Sequence, residues 1–174
     1  MIPKELLPSD LANCAFIAGG YAACPALATD IDVWVYIQKE SETLREARAR
    51  ILGWLESEMW PYEEEEANSR REGFDKDGYS ISSVKVAVVR SPHWSHPVHI
   101  IVTNAQPAEL LETFDISTHQ VAIVFGNVVK GSKWTPVTQP PVMLRNTPTT
   151  PERMEKIRTR YGHSIPFYTL EAQS

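Results

Sequence analysis

Residues 15–37, AFIAGGYAACPALATDIDVWVYI, decide how this chain folds. They read as a short apolar strand, a Gly19-Gly20 turn, a small helix and a second strand that opens with two carboxylates. In that second strand Asp30, Asp32, Trp34 and Tyr36 alternate with Ile31, Val33, Val35 and Ile37. Alternate side chains of a strand point to opposite faces, so both aspartates project the same way. The opposite face is continuously aliphatic and must be buried. Two acids held on one side of such a strand form a rigid oxygen donor pair for a divalent cation.

The elements on either side of this stretch imply one α+β domain, equally describable as α/β, with a mixed sheet flanked by helices. Residues 3–13 suggest short helical turns with Ser9 or Asp10 as cap. Pro25 disrupts the small helix before Asp30. Residues 41–60 carry Leu44, Ala47, Ile51, Leu52, Leu55 and Met59 at helical spacing, with Ser41 as cap and Pro61 as stop. Residues 61–78 read as loop, with Asp77-Gly78 as turn chemistry before a strand at 79–90. A short connection through 91–97 should pair that strand antiparallel with 98–103. A helix over 107–114 starts at Pro107, and a strand over 121–125 turns at Gly126-Asn127 into 128–130. Residues 1–132 thus form the body. Residues 133–174 form a Pro- and Thr-rich strap and a helix over 151–161, capped by Thr150 and ended by Gly162, packed on the same domain.

At 174 residues, 43% apolar and 22% charged, the chain can bury a core without staples. No apolar run approaches the ~18 residues of a membrane span. The N-terminal residues lack signal-peptide character, so a cytoplasmic location and no membrane partner are expected. Cys14 and Cys24 are too few for a framework and read as reduced, structural thiols. The net charge of −5 opposes bulk electrostatic binding of nucleic acid. Glu56, Glu58 and Glu63 to Glu66 make an acidic stretch, while Lys130, Lys133, Arg145, Arg153, Lys156, Arg158 and Arg160 make the C-terminal part basic. Both read most simply as solvated surface.

The order Gly19-Gly20, helix, then Asp30-x-Asp32 on the next strand resembles the nucleotidyltransferase superfamily related to DNA polymerase β. The resemblance covers residues 15–37 and extends loosely to the strand pair at 84–103. It implies a nucleoside triphosphate bound at Gly19, Gly20 and Tyr21, with Mg²⁺ (or Mn²⁺) on Asp30 and Asp32 polarising the α-phosphorus. Lys85 and Arg90 could face the triphosphate, as could Lys130 and Lys133, and Trp34 could stack a base or belong to the core. Members of the superfamily add a third carboxylate on a later strand. Here the residue in VHIIVT is His99, which could serve as neutral ligand or base. Asp115, in FDIS, could alternatively fold back toward the pair. ETFDISTHQVAI and PERMEKIRTRYG are also similar to segments of nucleotidyltransferase-like proteins of phages and large DNA viruses. The spacing of His93, His96 and His99, among two prolines, suits structural zinc poorly.

The expected function is therefore Mg²⁺-dependent transfer of a nucleotidyl group to a hydroxyl or phosphate acceptor on a small molecule, protein or RNA. Two alternatives stand beside it. One is a catalytically silent nucleotide sensor or protein-binding module, suggested by the absent acid at position 99. The other is modification of RNA or tRNA ends, suggested by the basic C-terminal helix.

Overall fold

The aliphatic side of residues 31–36 needs a cover, and the chain supplies both a sheet to hold that strand and a helix to close it. A computed structural model describes residues 4–38, 40–67, 70–74, 80–145, 148–162 and 168–169. The strands are β1 (Ala15–Ala18), β2 (Ile31–Tyr36), β3 (Tyr62–Glu64), β4 (Arg70–Phe74) and β5 (Ser80–Val89). There follow β6 (Val98–Thr103), β7 (Val121–Val124) and β8 (Asn127–Lys130). They form one mixed sheet in the order β3-β5-β6-β2-β1-β7-β8, and β4 also pairs with β5. β2 lies between β1, antiparallel, and β6, parallel. β5 and β6 pair antiparallel as their short connection requires.

Both faces of the sheet are covered. On one, Ile17, Ile31, Val33, Val35, Ile100 and Val102 share a buried cluster with Ala47, Ile51 and Leu55 of α3 (Leu44–Ser57), the helix that follows the short α1 (Ser9–Ala12) and α2 (Gly20–Ala23), with Leu6, Leu7 and Leu11 beside them. On the other, Phe16, Trp34, Ile101 and Ala122 pack with Leu110 and Leu111 of a short helix (Pro107–Leu111) and with Phe114. Asp32 lies on this second face in register with His99 of β6. The strap crosses the same side. Leu144 N donates to the Asp115 carbonyl at 2.7 Å and Val142 N to Ser117 Oγ at 2.8 Å. Ile116, Met143 and Ile157 close a small cluster that seats the last long helix, Thr150–Tyr161.

Several boundaries differ from the sequence reading. Helix α3 starts later than residue 41. Its cap is Thr43, whose Oγ1 accepts from Glu46 N at 3.1 Å while Glu46 accepts from Thr43 N at 3.3 Å. This reciprocal pair satisfies two end groups, and Ser41 instead donates to the Gln38 carbonyl. Met59 is outside the helix, at φ +59 and 88% exposed. Residues 61–78 are not all loop, because β3 and β4 run end to end along the free edge of β5. Cross-strand pairing and an ion pair from Arg48 to Glu64 at 2.8 Å outweigh the poor strand propensity of a Glu run. The turn after β7 is Phe125-Gly126, at φ +49 and +79, since Val124 already pairs with Asn127. Ser9 is the first residue of its short helix rather than the cap, and Thr150 likewise lies inside its helix with Thr149 before it. Gly162 ends that helix at φ +69, the left-handed conformation glycine favours. Asp77-Gly78 lies outside the described residues. Cys14 and Cys24 are free, and Cys14 is exposed rather than part of the core. Among the described residues no helix is long and apolar enough to cross a membrane.

The cap assignment is testable. Thr43→Ala should lower unfolding stability in urea by about 1 kcal/mol. Ser41→Ala, which removes one exposed hydrogen bond, should stay within about 0.5 kcal/mol of the parent.

Candidate functional site

At the end of β1 the chain turns sharply. Gly19 N donates to the Val121 carbonyl at 3.1 Å, and Gly19 itself sits at φ +91, ψ −144. Side-chain-bearing residues strongly avoid that conformation. Polar side chains stand close to the turn. A β-carbon on Gly19 would lie 3.8 Å from Asp32 Oδ2 and 3.7 Å from the Phe114 ring. One on Gly20 would lie 3.0 Å from Arg160 Nη1 and 3.7 Å from the His119 ring. A carboxylate and a guanidinium therefore flank the two glycines.

These groups line one polar cleft of about 200 Å³. Its walls bring together Gly19, Gly20, Asp30, Asp32 and Asp115 with Arg153, Lys156 and Arg160. The three cations recur at spacings of three and four along the C-terminal helix, which places them on one face. Ile157, buried in the cluster with Ile116 and Met143, fixes that face toward the cleft. Arg153 grips Asp115 with both arms, Nε to Oδ2 at 2.6 Å and Nη2 to Oδ1 at 3.1 Å. Arg160 Nη2 reaches Thr29 Oγ1 at 3.4 Å. The end of the helix is tied down where Tyr161 OH and His119 Nε2 lie 3.0 Å apart. Burial raises the Tyr161 hydroxyl pKa, against an opposing hydrogen bond from Arg160, so the phenol stays protonated.

Other residues singled out in the sequence lie elsewhere. His99 backs Asp30 rather than lining the cleft. Its Nε2 is 3.5 Å from Asp30 Oδ2 and its Nδ1 is 3.8 Å from Glu65 Oε1. Tyr21 packs on the core with its ring 6.1 Å from that of His96. Lys85 is exposed on β5, two strands from β2, and Arg90 sits 3.8 Å from Glu63. Lys130 lies over the Trp134 ring, 4.0 Å from its centre. Trp34 does line the cleft but is buried against Phe114, with ring centres 5.6 Å apart. His93 packs edge-on to Trp60. The acidic stretch is largely solvated as expected, with Glu63, Glu64 and Glu65 also facing Arg90, Arg48 and His99. What the sequence left unassigned was the role of Arg153, Lys156, Arg160 and His119. The signal was present in PERMEKIRTRYG, where helix boundaries and cation spacing define one basic face.

The donor chemistry of the cleft suits a hard divalent cation. Mg²⁺ takes one or two carboxylates and fills its remaining positions with water and phosphate oxygens. Asp30 and Asp32 supply that number. Among the described residues no three His, Cys, Asp or Glu side chains gather tightly enough to hold an ion alone. The chain matches no protein-family model and no curated protein sequence.

Gly19→Ala should cost about 1–3 kcal/mol of stability, because its positive φ is a backbone conformation that side-chain-bearing residues avoid. Gly53→Ala, on the open face of α3 with nothing within 4 Å, should instead stabilise by about 0.5–1 kcal/mol. Thermal or urea unfolding of the two variants measures both.

Proposed function

We propose that this chain is a nucleotidyltransferase of the DNA polymerase β-related type. It binds a nucleoside triphosphate with Mg²⁺ or Mn²⁺ and transfers the nucleotidyl group to a hydroxyl or phosphate acceptor. One observation carries the reading: two aspartates, Asp32 on β2 and Asp30 just before it, and three helix-borne cations converge on a single cleft at a glycine turn. A polyphosphate chelating a divalent metal presents the complementary pattern, with metal facing the acids and phosphate oxygens facing Arg153, Lys156 and Arg160. The missing side chains at Gly19 and Gly20 let phosphate approach the backbone. A wider groove of about 850 Å³ adjoins the cleft and shares Thr29, Lys156 and Arg160 with it. Exposed Leu27 lies on its wall, giving the nucleoside an apolar surface next to its phosphates.

In this reading Asp30 and Asp32 hold the metal, which when bound neutralises phosphate charge and favours attack at the α-phosphorus. His99 and Glu65 behind Asp30 hold that carboxylate in place. Arg153, Lys156 and Arg160 orient the triphosphate and offset the charge that grows on the departing pyrophosphate. The nucleotide-sensor reading draws on a different observation: the third carboxylate, Asp115, is held by Arg153. In that reading the cleft binds nucleotide and makes no product.

Isothermal titration with ATP, GTP, CTP and UTP in Mg²⁺ should give binding that the Asp30→Ala, Asp32→Ala double variant weakens by at least about tenfold, or about 1.4 kcal/mol. Equal heats from the two proteins would remove both readings. Incubation with α-labelled NTP and candidate hydroxyl acceptors then separates them, since only the enzyme gives a labelled product.

A further inference from the structure

Asp115 is the third carboxylate of the cleft, and a guanidinium covers both its oxygens. A carboxylate in such a fork is a poor proton acceptor, because taking a proton would forfeit a bidentate, charge-assisted pair. Arg153 is nevertheless well placed to leave. Its side chain is 35% exposed, against 24% for Asp115. Its helix is anchored elsewhere, by buried Ile157 and by the contact between Tyr161 and His119. A swing of the long side chain needs no backbone movement. Phosphate offers a guanidinium the same two-pronged geometry as a carboxylate, with more charge. Lys156 lies one turn further along the same face, and Arg160 one turn beyond that. Among the described residues neither is ion-paired, so a polyphosphate in the cleft meets two further cations beside Arg153.

We propose that Arg153 is the phosphate sensor of this cleft. A polyphosphate entering it takes the guanidinium from Asp115, and the released carboxylate becomes the base of the transfer. The second half rests on the nucleotidyltransferase reading. In that step the acceptor O–H gives its proton to Asp115 as its oxygen bonds to the α-phosphorus. The bond from that phosphorus to the bridging oxygen breaks, and pyrophosphate leaves with the electron pair. The base is thus uncovered only when substrate is in place. Arg153 acts as a positioning residue and Asp115 as the catalytic one.

The sensor is tested with inorganic tripolyphosphate in low salt and EDTA, titrated into wild type, Asp115→Asn, Arg153→Ala and the double variant. Asp115→Asn should bind about five- to tenfold tighter than wild type, because no carboxylate competes for Arg153. In the Arg153→Ala background the same change should have less than about a twofold effect. Arg153→Gln replaces Arg153→Ala in the cycle if the alanine variant does not fold. Equal tightening in both backgrounds would mean simple charge repulsion and would overturn the sensor, as would no tightening. With α-labelled NTP, Asp115→Asn should also lose about a hundredfold or more in transfer rate while its tripolyphosphate affinity rises. Loss of both together would mark Asp115 as structural and overturn the proposal. Labelled product with an additive cycle removes the sensor and keeps the transferase. A coupled cycle with no product from wild type does the reverse. No tripolyphosphate binding by wild type removes the sensor.

Discussion

Burial of the aliphatic face of β2 is the constraint on which the rest of the structure depends. Ile31, Val33 and Val35 share one buried cluster with Leu6, Leu7 and Leu11 of the N-terminal turns and Ala47, Ile51 and Leu55 of α3, all almost fully buried. A strand has a two-residue period, so a one-residue slip would expose that row and bury the aspartates. Neighbours on both edges, β1 and β6, fix the register further. The positions of Asp30 and Asp32 at the mouth of the cleft thus follow from hydrophobic packing on the other side of the sheet. Trp34, two residues along the same face, returns that face to apolar packing against Phe114. The polar mouth is confined to one end of the strand.

The cleft also has a charge logic that composition conceals. The chain carries a net charge of −5, yet Asp30, Asp32 and Asp115 meet Arg153, Lys156 and Arg160 in one small cavity. The acids come from β2 and from the connection after the Pro107–Leu111 helix, and the cations come from a helix some forty residues later. Holding like charges together in a small cavity is unfavourable unless the opposite sign is near. The cluster of Ile116, Met143 and Ile157, with the hydrogen bonds that tie the strap to Asp115 and Ser117, keeps the basic helix across the cleft. The strap is in this sense part of the site.

Legibility in the sequence followed the range of the interactions involved. Alternation in 31–36, the apolar strands at 84–89 and 98–103 and the Pro and Gly punctuation around 151–162 are local signals, and the mixed sheet with flanking helices followed from them. Gly19, Gly20, Asp30 and Asp32 are close in sequence and were grouped from it. Asp115 was named as one of two options and does line the cleft. His99, the other, stands in register with Asp32 but leans on Asp30 and Glu65. The edge strands at 62–64 and 70–74 were missed because nothing in a Glu- and Arg-rich segment alternates; partners on β5 and α3 make them strands. Lys85 and Arg90 were chosen because they flank the paired strands. The cations that do line the cleft arrive through a tertiary contact that no local pattern encodes. Pairing a basic helix with an acidic strand across the chain was the step periodicity could not supply.

The two kinds of carboxylate in the cleft differ in a way that bears on what each can do. Asp32 is on β2, paired with His99 of β6, and Asp30 stands immediately before the strand, so a paired central strand sets the geometry of one and anchors the other. Asp115 is on a connection, and the guanidinium that forks onto it is carried by a flexible side chain on another element. A rigid pair suits a role in which geometry must be held, as for a metal with strict coordination. A carboxylate whose cover can be drawn away suits a role that should be unavailable until something else binds. Removing the partner of a partly buried ion pair is costly unless a new partner takes its place. A phosphate offered to Arg153 meets that condition on the guanidinium side, and an incoming proton meets it on the side of Asp115.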